Sequence, residues 1–308
     1  MSKTVLVTGC FGFVGSHMVD MLLEKDYKVL GVGTPRKEKD RNFSSFIHSP
    51  KFELIGEDVL KLDVKPEVST EINTIFHFAT SRASDNPKQL TEVNVIGTLN
   101  VLELARKADI QRVVFSSSAA VYGNPTNSPI REDTAMDPLN LYGVSKAAAE
   151  YYMKAYSRNY AIETSILRYF NVYGPRQSPN LGAISIFINQ ILRNLPITLE
   201  GDGRYRYTPI YVDDTAQATY LASQQPAAAN ETINICGSEI LELRDIVRRI
   251  RELVPASRSS VIFKEPRPQW GDSQIGNTDT MRELLDFEPK CSLDESLPLT
   301  IEWFSQFL

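Results

Sequence analysis

Cysteine is scarce in this chain of 308 residues, and no two of its three cysteines form a CxxC pair. Cys10, Cys236 and Cys291 therefore predict neither a disulfide framework nor a zinc site. No stretch of about 18 consecutive apolar residues occurs, so we do not expect a membrane-spanning helix. The first residues run directly into a β-branched segment without a charged leader, which favours a cytoplasmic protein.

An excess of one charge is also lacking, because acidic and basic residues are intermixed and the formal net charge is only −5. No extended basic stripe is available to a phosphate backbone or an anionic membrane, so we expect no nucleic-acid or membrane partner. The composition, 42% hydrophobic and 23% charged, is that of an ordinary globular protein. Folding should therefore need neither a metal nor a disulfide.

Short β-branched segments alternate with segments of helical periodicity along most of the chain, which predicts parallel strands joined by helices. Residues 5–7 are apolar at consecutive positions, as expected of a strand that helices cover on both faces. The sequence therefore predicts an α/β fold, a Rossmann-type doubly wound parallel sheet of seven strands. The elements are expected at 4–8, 15–25, 27–31, 74–78, 90–108, 112–116, 145–159, 164–167, 215–223 and 232–235.

Segments rich in proline and glycine interrupt this alternation in the second half of the chain, which favours a second, smaller part. We expect an NAD(P)-binding Rossmann domain in 1–170 and 210–236. A smaller α/β substrate-binding lobe is expected in 171–209 and 237–308. Two lobes imply a cleft between them, where ligands commonly bind.

Glycines follow the first predicted strand at the spacing GxxGxxG, in the segment TGCFGFVGSH. Gly9 lets the chain turn tightly off the strand, Gly12 lets the backbone approach a pyrophosphate, and Gly15 lets the helix pack closely on the sheet. The N-terminus of that helix would face the anion. The residues between the glycines are also expected to contact a dinucleotide cofactor: Phe11, Phe13 and Val14.

The acidic residue that accepts the adenosine ribose hydroxyls in many dinucleotide sites is missing at the end of the second strand, where Gly33 and Thr34 stand. Thr34 could bond free ribose hydroxyls and suit NAD, whereas Arg36 could hold a 2′-phosphate and suit NADP. Asp58 follows the third strand. Its carboxylate could accept a hydrogen bond from the adenine amino group, or it could cap a turn. The sequence leaves both cofactors open.

A tyrosine and a lysine lie four residues apart at the start of a strongly helical run, LYGVSKAAAEYY. This spacing places Tyr142 and Lys146 on one helix face, about 6 Å apart along the axis. A lysine ammonium stabilises a nearby phenolate, which would make Tyr142 a usable general base. Ser118 ends a serine-rich strand, at the edge where open α/β sheets bind ligands, and could bridge Tyr142 and a substrate hydroxyl.

With these motifs the chain resembles the extended short-chain dehydrogenase/reductase family over nearly its whole length. The resemblance rests on GxxGxxG, the serines before VYG, YGVSK, LRYFNVYGP and YVDD. Within the family the chain is most similar to the NAD-dependent epimerase/dehydratase branch, which includes UDP-glucose and UDP-glucuronate 4-epimerases. The resemblance implies that Tyr142 is the catalytic base, that Lys146 holds the nicotinamide ribose, and that Ser118 orders the proton path.

The resemblance also implies further cofactor contacts and an assembly. Residues 77–80 would run alongside the nicotinamide ribose, although His77 could equally be a core histidine. Asn94 would support the sheet through hydrogen bonds. Family members commonly form homodimers through two long helices, here near 90–108 and 145–159. The expected cofactor contacts beyond the glycine loop and its neighbours are Val59, Phe78, Ala79, Thr80, Asn94, Ser116, Tyr169 and Val172.

The expected reaction follows from what the turn after Ser118 lacks. Sugar dehydratases that the chain resembles carry an Asp-Glu pair there, and similar decarboxylases use a glutamate, whereas Ala119 and Ala120 follow here. The resemblance then implies reversible oxidation of one carbinol and return from the other face, which is 4-epimerisation. Two alternatives stay open: an NADP-dependent nucleotide-keto-sugar reductase, motivated by Arg36, and a non-catalytic dinucleotide-sensing protein.

The substrate implied by the resemblance is a nucleotide sugar, and we expect a UDP-sugar. Asn171 matches the family segment that would contact the diphosphate, and Arg206 and Arg267 are candidate partners for its charge. The arginine that family members often carry before YVDD is absent, because Tyr207 and its neighbours stand there. Arg176 could belong to this site or form a salt bridge within its loop.

Overall fold

The computed structural model describes residues 3–35, 45–56, 58–62, 71–82, 86–265 and 273–307. Seven parallel strands form its main sheet, in the spatial order β11-β6-β5-β4-β1-β2-β3, which confirms the predicted Rossmann-type architecture. In chain order the strands are β1 (Thr4–Thr8), β2 (Lys28–Val32), β3 (Phe52–Gly56), β4 (Ile72–His77), β5 (Arg112–Ser118), β6 (Glu163–Tyr169), β7 (Val172–Tyr173), β8 (Ile197–Glu200), β9 (Arg206–Tyr207), β10 (Ile210–Tyr211), β11 (Thr232–Ile235), β12 (Leu241–Glu242), β13 (Val261–Lys264) and β14 (Ser273–Gln274).

The helices begin and end within a few residues of the expected positions. The helix expected at 145–159 begins earlier, at Leu141, because the side chain of Asn140 accepts the N–H of Gly143 at 2.8 Å and caps the first turn. The helices are α1 (Phe13–Glu24), α2 (Pro87–Thr91), α3 (Gly97–Lys107), α4 (Leu141–Tyr160), α5 (Ala183–Leu192), α6 (Val212–Gln224), α7 (Leu243–Leu253), α8 (Asp279–Leu285) and α9 (Leu293–Ser305).

The main sheet is buried on both faces, as the consecutive apolar residues of β1 predict. Val5 and Val7 point into a core shared with α1, α6 and α8, whereas Leu6 points into a core shared with α3 and α4. This division follows from the alternation of side chains along a strand. The ligand-binding edge of such a sheet is the one at which the strands end.

A separate apolar cluster joins α5, α7 and α9. It includes Ile188 of α5, Leu199 of β8, Ile250 of α7 and Leu297 of α9. Three small sheets accompany it, in the orders β12-β9-β14, β13-β8 and β10-β7. Helix α8 packs with the main sheet, although it lies inside the segment 237–308 that we expected to form the lobe.

An ion pair at the edge where β5 and β6 begin ties these strands to α6. Arg112 is only 8% exposed. Its guanidinium donates to the carboxylate of Glu163 at 2.6 and 2.8 Å, and to the carbonyls of Ala222 and Gln225 at 2.9 and 3.2 Å. The pair therefore also satisfies the carbonyls where α6 ends.

We predict that Arg112→Met lowers the free energy of unfolding by about 2 kcal/mol, because these carbonyls and one carboxylate lose a buried donor. Urea denaturation followed by circular dichroism measures the loss. Lys28→Met is the control, since Lys28 only approaches Glu53 and Glu71 at the surface, at 3.8 and 3.7 Å. Equal losses for the two variants would contradict the prediction.

Candidate active site

The glycine loop lies between β1 and α1, at the ligand-binding edge of the main sheet. Gly9 has a φ of +69°, which favours glycine, and its N–H donates to the carbonyl of Val32 at 2.7 Å. A Cβ on Gly15 would lie 2.3 Å from the carbonyl oxygen of Gly9. Helix α1 begins directly after Gly12, and no side chain caps its first turn. Its first N–H groups are therefore available to an anion.

The side chains between these glycines face inward. Phe11 is 2% exposed and its ring stacks on that of Phe46 with a centroid distance of 6.2 Å. Phe13 and Val14 are half-buried and pack against the apolar cluster of α5, α7 and α9. The Phe11 side chain is therefore part of the core, whereas Phe13 and Val14 connect α1 to that cluster.

The residues expected to choose between NAD and NADP lie beyond β2 and β3. Thr34 is exposed two residues after β2 ends, and Arg36 falls outside the described residues. Asp58 accepts the N–H of Leu60 at 2.9 Å and caps a short 3-10 helix, Val59–Lys61, whose first residue is buried. The structure therefore supports the capping interpretation of Asp58.

His77 is a buried histidine at the end of β4. Its Nδ1 lies 2.7 Å from Oγ1 of Thr8, and its Nε2 lies 3.0 Å from Oγ1 of Thr98. Burial, together with the nearby charge of Lys146, lowers the pKa of His77 to about 3. The structure therefore supports the interpretation of His77 as a neutral core histidine.

Asn94 connects the segment after β4 to α4. The helix expected at 90–108 is interrupted by a π-helical turn, Glu92–Ile96, which carries Asn94. The Asn94 side chain accepts the N–H of Ser81 at 2.7 Å and the hydroxyl of Thr80 at 3.1 Å. Its amide donates to the Ser81 carbonyl at 3.0 Å and to the Ser145 hydroxyl at 2.8 Å. This side chain therefore holds the strand end and α4 together.

Other expected cofactor contacts lie on neighbouring strand ends. A Cβ on Gly9 would lie 2.8 Å from both the carbonyl carbon of Phe78 and the nitrogen of Ala79. The Tyr169 hydroxyl lies 2.8 Å from that of a threonine in α6. Val172 is half-buried in β7. These residues surround the edge at which β1, β4 and β6 end.

Tyr142 and Lys146 lie on one face of α4, as their spacing predicts. Lys146 is 1% exposed, and its Nζ donates to the carbonyl of Ser116 at 2.8 Å. The same nitrogen lies 4.7 Å from the centre of the Phe115 ring and 6.0 Å from the centre of the Tyr142 ring. The lysine is therefore fixed between β5 and the partly exposed tyrosine.

Two charged residues that the sequence reasoning missed act on this pair. Burial and the charge of Arg82 lower the pKa of Lys146, the carboxylate of Glu150 opposes both effects, and the resulting pKa is about 7. The guanidinium of Arg82 lies 4.8 Å from the centre of the Tyr142 ring, a cation–π contact. The charge on Lys146 therefore depends on its burial and on the charges of Arg82 and Glu150.

The serines that end β5 have different partners. The Ser116 hydroxyl donates to the carbonyl of His77 at 3.0 Å. The Ser118 hydroxyl accepts the N–H of Ala120 at 3.2 Å, at the start of a 3-10 turn, and it is partly exposed. Because Ala119 and Ala120 occupy this turn, it supplies no carboxylate beside Ser118.

A buried polar network lies one helical turn beyond Lys146. Arg168 of β6 donates to the two carboxylate oxygens of Glu150 at 2.7 and 3.0 Å. Glu150 also accepts the Ser117 hydroxyl, and Arg168 donates to the Tyr122 hydroxyl at 2.8 Å. That hydroxyl in turn donates to Asn234 at 2.7 Å. The network therefore joins α4 to β5, β6 and β11.

Asn171 and Arg206, two of the expected substrate residues, lie in the segment 171–209. The Asn171 side chain donates to a glutamine of β14 at 2.9 Å, and Arg206 is exposed on β9. Arg267 falls outside the described residues. Arg176 lies 2.6 Å from the carboxylate of Asp20 in α1, so the structure supports a salt bridge for this residue.

Neither a metal cluster nor a membrane span is found in the described part of the chain. No three or more His, Cys, Asp or Glu side chains are grouped there to hold a metal ion. None of the helices described above is long and apolar enough to cross a membrane.

The Rossmann-type sheet, its glycine loop and the tyrosine–lysine helix define a dinucleotide-dependent enzyme of the short-chain dehydrogenase/reductase type. Residues 5–236 match the NAD dependent epimerase/dehydratase family, and the chain belongs to this family.

Several relatives match nearly the whole chain. It is 33% identical to the UDP-glucose 4-epimerase of Mycolicibacterium smegmatis, over 97% of both chains. It is also 33% identical to UDP-glucuronic acid decarboxylase 1 of Danio rerio, over 99% of this chain and 73% of the relative. The UDP-glucuronic acid 4-epimerase of Bacillus cereus, solved with UDP-glucuronic acid and NAD, is 29% identical with a TM-score of 0.91, covering 99% of this chain and 100% of the other. The 4-epimerases among these relatives confirm the expected assignment to the nucleotide-sugar 4-epimerases.

We predict that Glu150→Gln lowers the pKa of Lys146, because a carboxylate that stabilises the ammonium is removed. As the pH rises, Lys146 would then lose its proton at a lower pH in the variant than in the wild type. Titration of lysine-labelled protein by carbon-13 NMR measures this shift, with the Lys146 signal assigned from Lys146→Arg.

One further variant controls for a general loss of stability, and another tests for a pKa shift of the opposite sign. Glu163→Gln breaks the Arg112 ion pair at the opposite edge of the same strands and should leave the pKa of Lys146 unchanged. Arg82→Met removes a cation and should raise that pKa. A Lys146 titration that is the same in wild type and Glu150→Gln would contradict the prediction.

Proposed function

We propose that this chain is a nucleotide-sugar 4-epimerase that uses tightly bound NAD and acts on a UDP-sugar. The observation that carries the proposal is the position of Lys146, buried against the end of β5 and beside Tyr142, in a site whose serine turn holds alanines. The family and the relatives named above support this assignment.

The glycine loop fits a dinucleotide. Side chains at Gly9 and Gly15 would collide with the backbone, and the first turn of α1 is left uncapped. We propose that NAD lies along this edge, with its ribose held by Lys146 and its adenosine end near Thr34 and Asp58. When bound, NAD supplies the reversible oxidation of a sugar carbinol.

The chain's own groups would then move one proton. Tyr142 takes the proton of the sugar C4 hydroxyl while the Lys146 ammonium stabilises the phenolate, and Ser118 donates a hydrogen bond to the same sugar oxygen. In the reverse direction Tyr142 returns the proton after the sugar has presented its other face. The net result is inversion at C4 with no proton consumed.

The residues around Ser118 favour this reaction over dehydration or decarboxylation. The dehydratases and decarboxylases that the chain resembles use a carboxyl group on this turn, and Ala119 and Ala120 provide none. The carboxylate of Glu132, farther along the chain, accepts the N–H of Asn234 at 2.8 Å. It is thereby occupied in supporting β11.

The second lobe, 171–209 with 237–308, is proposed to bind the nucleotide. Asn171, Arg206 and Arg267 are the proposed contacts of the sugar nucleotide, the two arginines supplying positive charge. A homodimer is also proposed, because α4 presents exposed apolar side chains, Leu141, Val144, Tyr151 and Tyr152, that a second copy would cover. A cytoplasmic location stays a prediction from the sequence.

Tyr142→Phe is expected to reduce kcat by about 100-fold or more, because it removes the hydroxyl that exchanges the proton. The assay incubates the protein with NAD, and separately with NADP, against UDP-, GDP- and dTDP-sugars and follows C4 inversion by NMR. Tyr160→Phe, on the exposed far end of the same helix, should keep wild-type activity.

One sugar that equilibrates with its 4-epimer, without net cofactor reduction, is the expected result. If no sugar is inverted but NADPH is consumed with a nucleotide-keto-sugar, the protein is a reductase instead. If Tyr142→Phe inverts sugars at the wild-type rate, Tyr142 is not the base.

A further inference from the structure

His17 of α1 bonds two groups that accept hydrogen bonds. Its Nδ1 lies 2.9 Å from a carboxylate oxygen of Asp213, in the first turn of α6, and its Nε2 lies 3.1 Å from the carbonyl oxygen of Pro175. A carbonyl oxygen has no hydrogen to donate, so Nε2 must carry one. Asp213 is 57% exposed, and an exposed carboxylate is ionised at neutral pH, so Nδ1 must carry a hydrogen as well. The imidazole therefore makes both bonds only in its positively charged form.

The other charged groups on the elements around His17 have partners of their own. Asp20, one turn farther along α1, lies 2.6 Å from the guanidinium of Arg176. Asp214, the other acid of α6, accepts two backbone N–H groups from the segment before α9, at 2.9 and 3.1 Å. Among the residues that the structure describes, Asp213 is therefore the acid that pairs with the imidazole.

Two further titratable groups lie near Asp213. Burial, followed by the nearby carboxylates, raises the pKa of Cys291 to about 11. Burial also raises the pKa of Tyr211 far above its ordinary value, with a smaller contribution from Asp213. The ring of Phe13, which meets the imidazole edge to face at a centroid distance of 6.1 Å, carries no charge. These neighbours therefore keep one charge state near neutral pH, whereas a histidine ordinarily changes its charge there.

The segment that receives the Nε2 bond, 171–177, has an unusual backbone conformation. Asn171 and Arg176 have φ angles of +46° and +69°, in the left-handed region that residues with side chains seldom adopt. Such a conformation persists only where surrounding contacts hold it. Asn171 donates to a glutamine of β14, Arg176 pairs with Asp20, and His17 donates to the carbonyl just before Arg176. The imidazole therefore belongs to the contacts that hold this segment in place.

His17 connects the two proposed ligand sites. Helix α1, which carries it, begins at the glycine loop, where the pyrophosphate of NAD is proposed to bind. The segment 171–177 begins with Asn171, a proposed contact of the sugar nucleotide. Asp213 belongs to α6, which packs against α1. The bonds of His17 therefore fix the position of the substrate segment relative to the cofactor helix.

We propose that His17 is a positioning residue whose protonated ring holds segment 171–177 for the substrate, so that nucleotide-sugar affinity falls as the ring loses its proton. The inference rests on the proposed function for the identity of the ligand. When the proton leaves, one ring nitrogen presents a lone pair to an acceptor, and one of the two bonds is lost. Histidines change charge between about pH 5 and 8, so the loss of affinity is expected in that range.

Asp213→Asn tests the proposal, because the new amide can donate to Nδ1 of a neutral ring while Nε2 still donates to Pro175. Isothermal titration calorimetry with NAD-loaded protein measures the Kd of UDP-glucose and of UDP-glucuronate from about pH 5.5 to about pH 8.5. For the tighter ligand, the ratio of the wild-type Kd to the Asp213→Asn Kd is expected to rise about fivefold across this range. The titration of Lys146 is common to both proteins and cancels in the ratio.

His17→Phe is the matched control, because it keeps a ring and removes both bonds. It should bind the sugar nucleotide weakly at every pH, and its ratio to Asp213→Asn should not change with pH. NMR of nitrogen-15-labelled histidine, without substrate, then reports the ring itself, with the His17 signals assigned from this variant. Wild-type His17 should carry a hydrogen on both nitrogens at the acid end of the range and on one at the alkaline end.

A wild-type ring that carries one hydrogen at every pH would overturn the proposal. A Kd ratio between wild type and Asp213→Asn that does not change with pH would also overturn it, as would a wild type that binds neither UDP-sugar. If the ratio changes as expected but no sugar is inverted at C4, the epimerase assignment fails and the positioning role of His17 stands. Failure of the inference and failure of the proposed reaction are thereby distinguished.

Discussion

The ion pair between Glu150 and Arg168 fixes the catalytic helix to the sheet. Glu150 is fully buried and Arg168 is 2% exposed, and the pair lies one helical turn from Lys146. Removing either partner would leave an unpaired charge in the core, so α4 cannot slide along β6 without a large loss of stability. The positions of Tyr142 and Lys146 depend on this constraint. The same carboxylate favours the charged form of the lysine that the proposed chemistry uses.

Different strand ends contribute different groups to the ligand-binding edge of the sheet. The end of β1 provides an anion cradle, the end of β4 provides a neutral histidine and the segment held by Asn94, and the end of β5 provides the serines. These groups are polar but mostly satisfied by one another. The partly exposed side chains of Tyr142 and Ser118 are among those left for a substrate, which is why the proposed proton transfer is assigned to them.

The sequence predicted the seven-stranded sheet, the glycine loop and the tyrosine–lysine face, because each depends on local periodicity or short spacing. The π-helical turn that carries Asn94 was not predictable, since the Asn94 side chain bonds Thr80 and Ser81, which lie outside the helix. Arg82 lies in a loop, and only the fold brings it to Tyr142. Glu150 could have been found, because it continues the helix face of Tyr142 and Lys146 by one more turn. Its partner Arg168 lies on a buried strand, and no sequence spacing links an arginine on that strand to a glutamate on the helix.

In the proposed reaction, the site moves the hydroxyl proton and leaves the bond between carbon and hydrogen to the cofactor. The most direct test uses the UDP-sugar that the enzyme inverts, labelled with deuterium at C4, in ordinary water. We expect the 4-epimer to keep its deuterium at C4, because Tyr142 exchanges only the proton on oxygen. Loss of the deuterium to water would contradict the proposed reaction, since it would show that a base of the site removes hydrogen from the carbon itself.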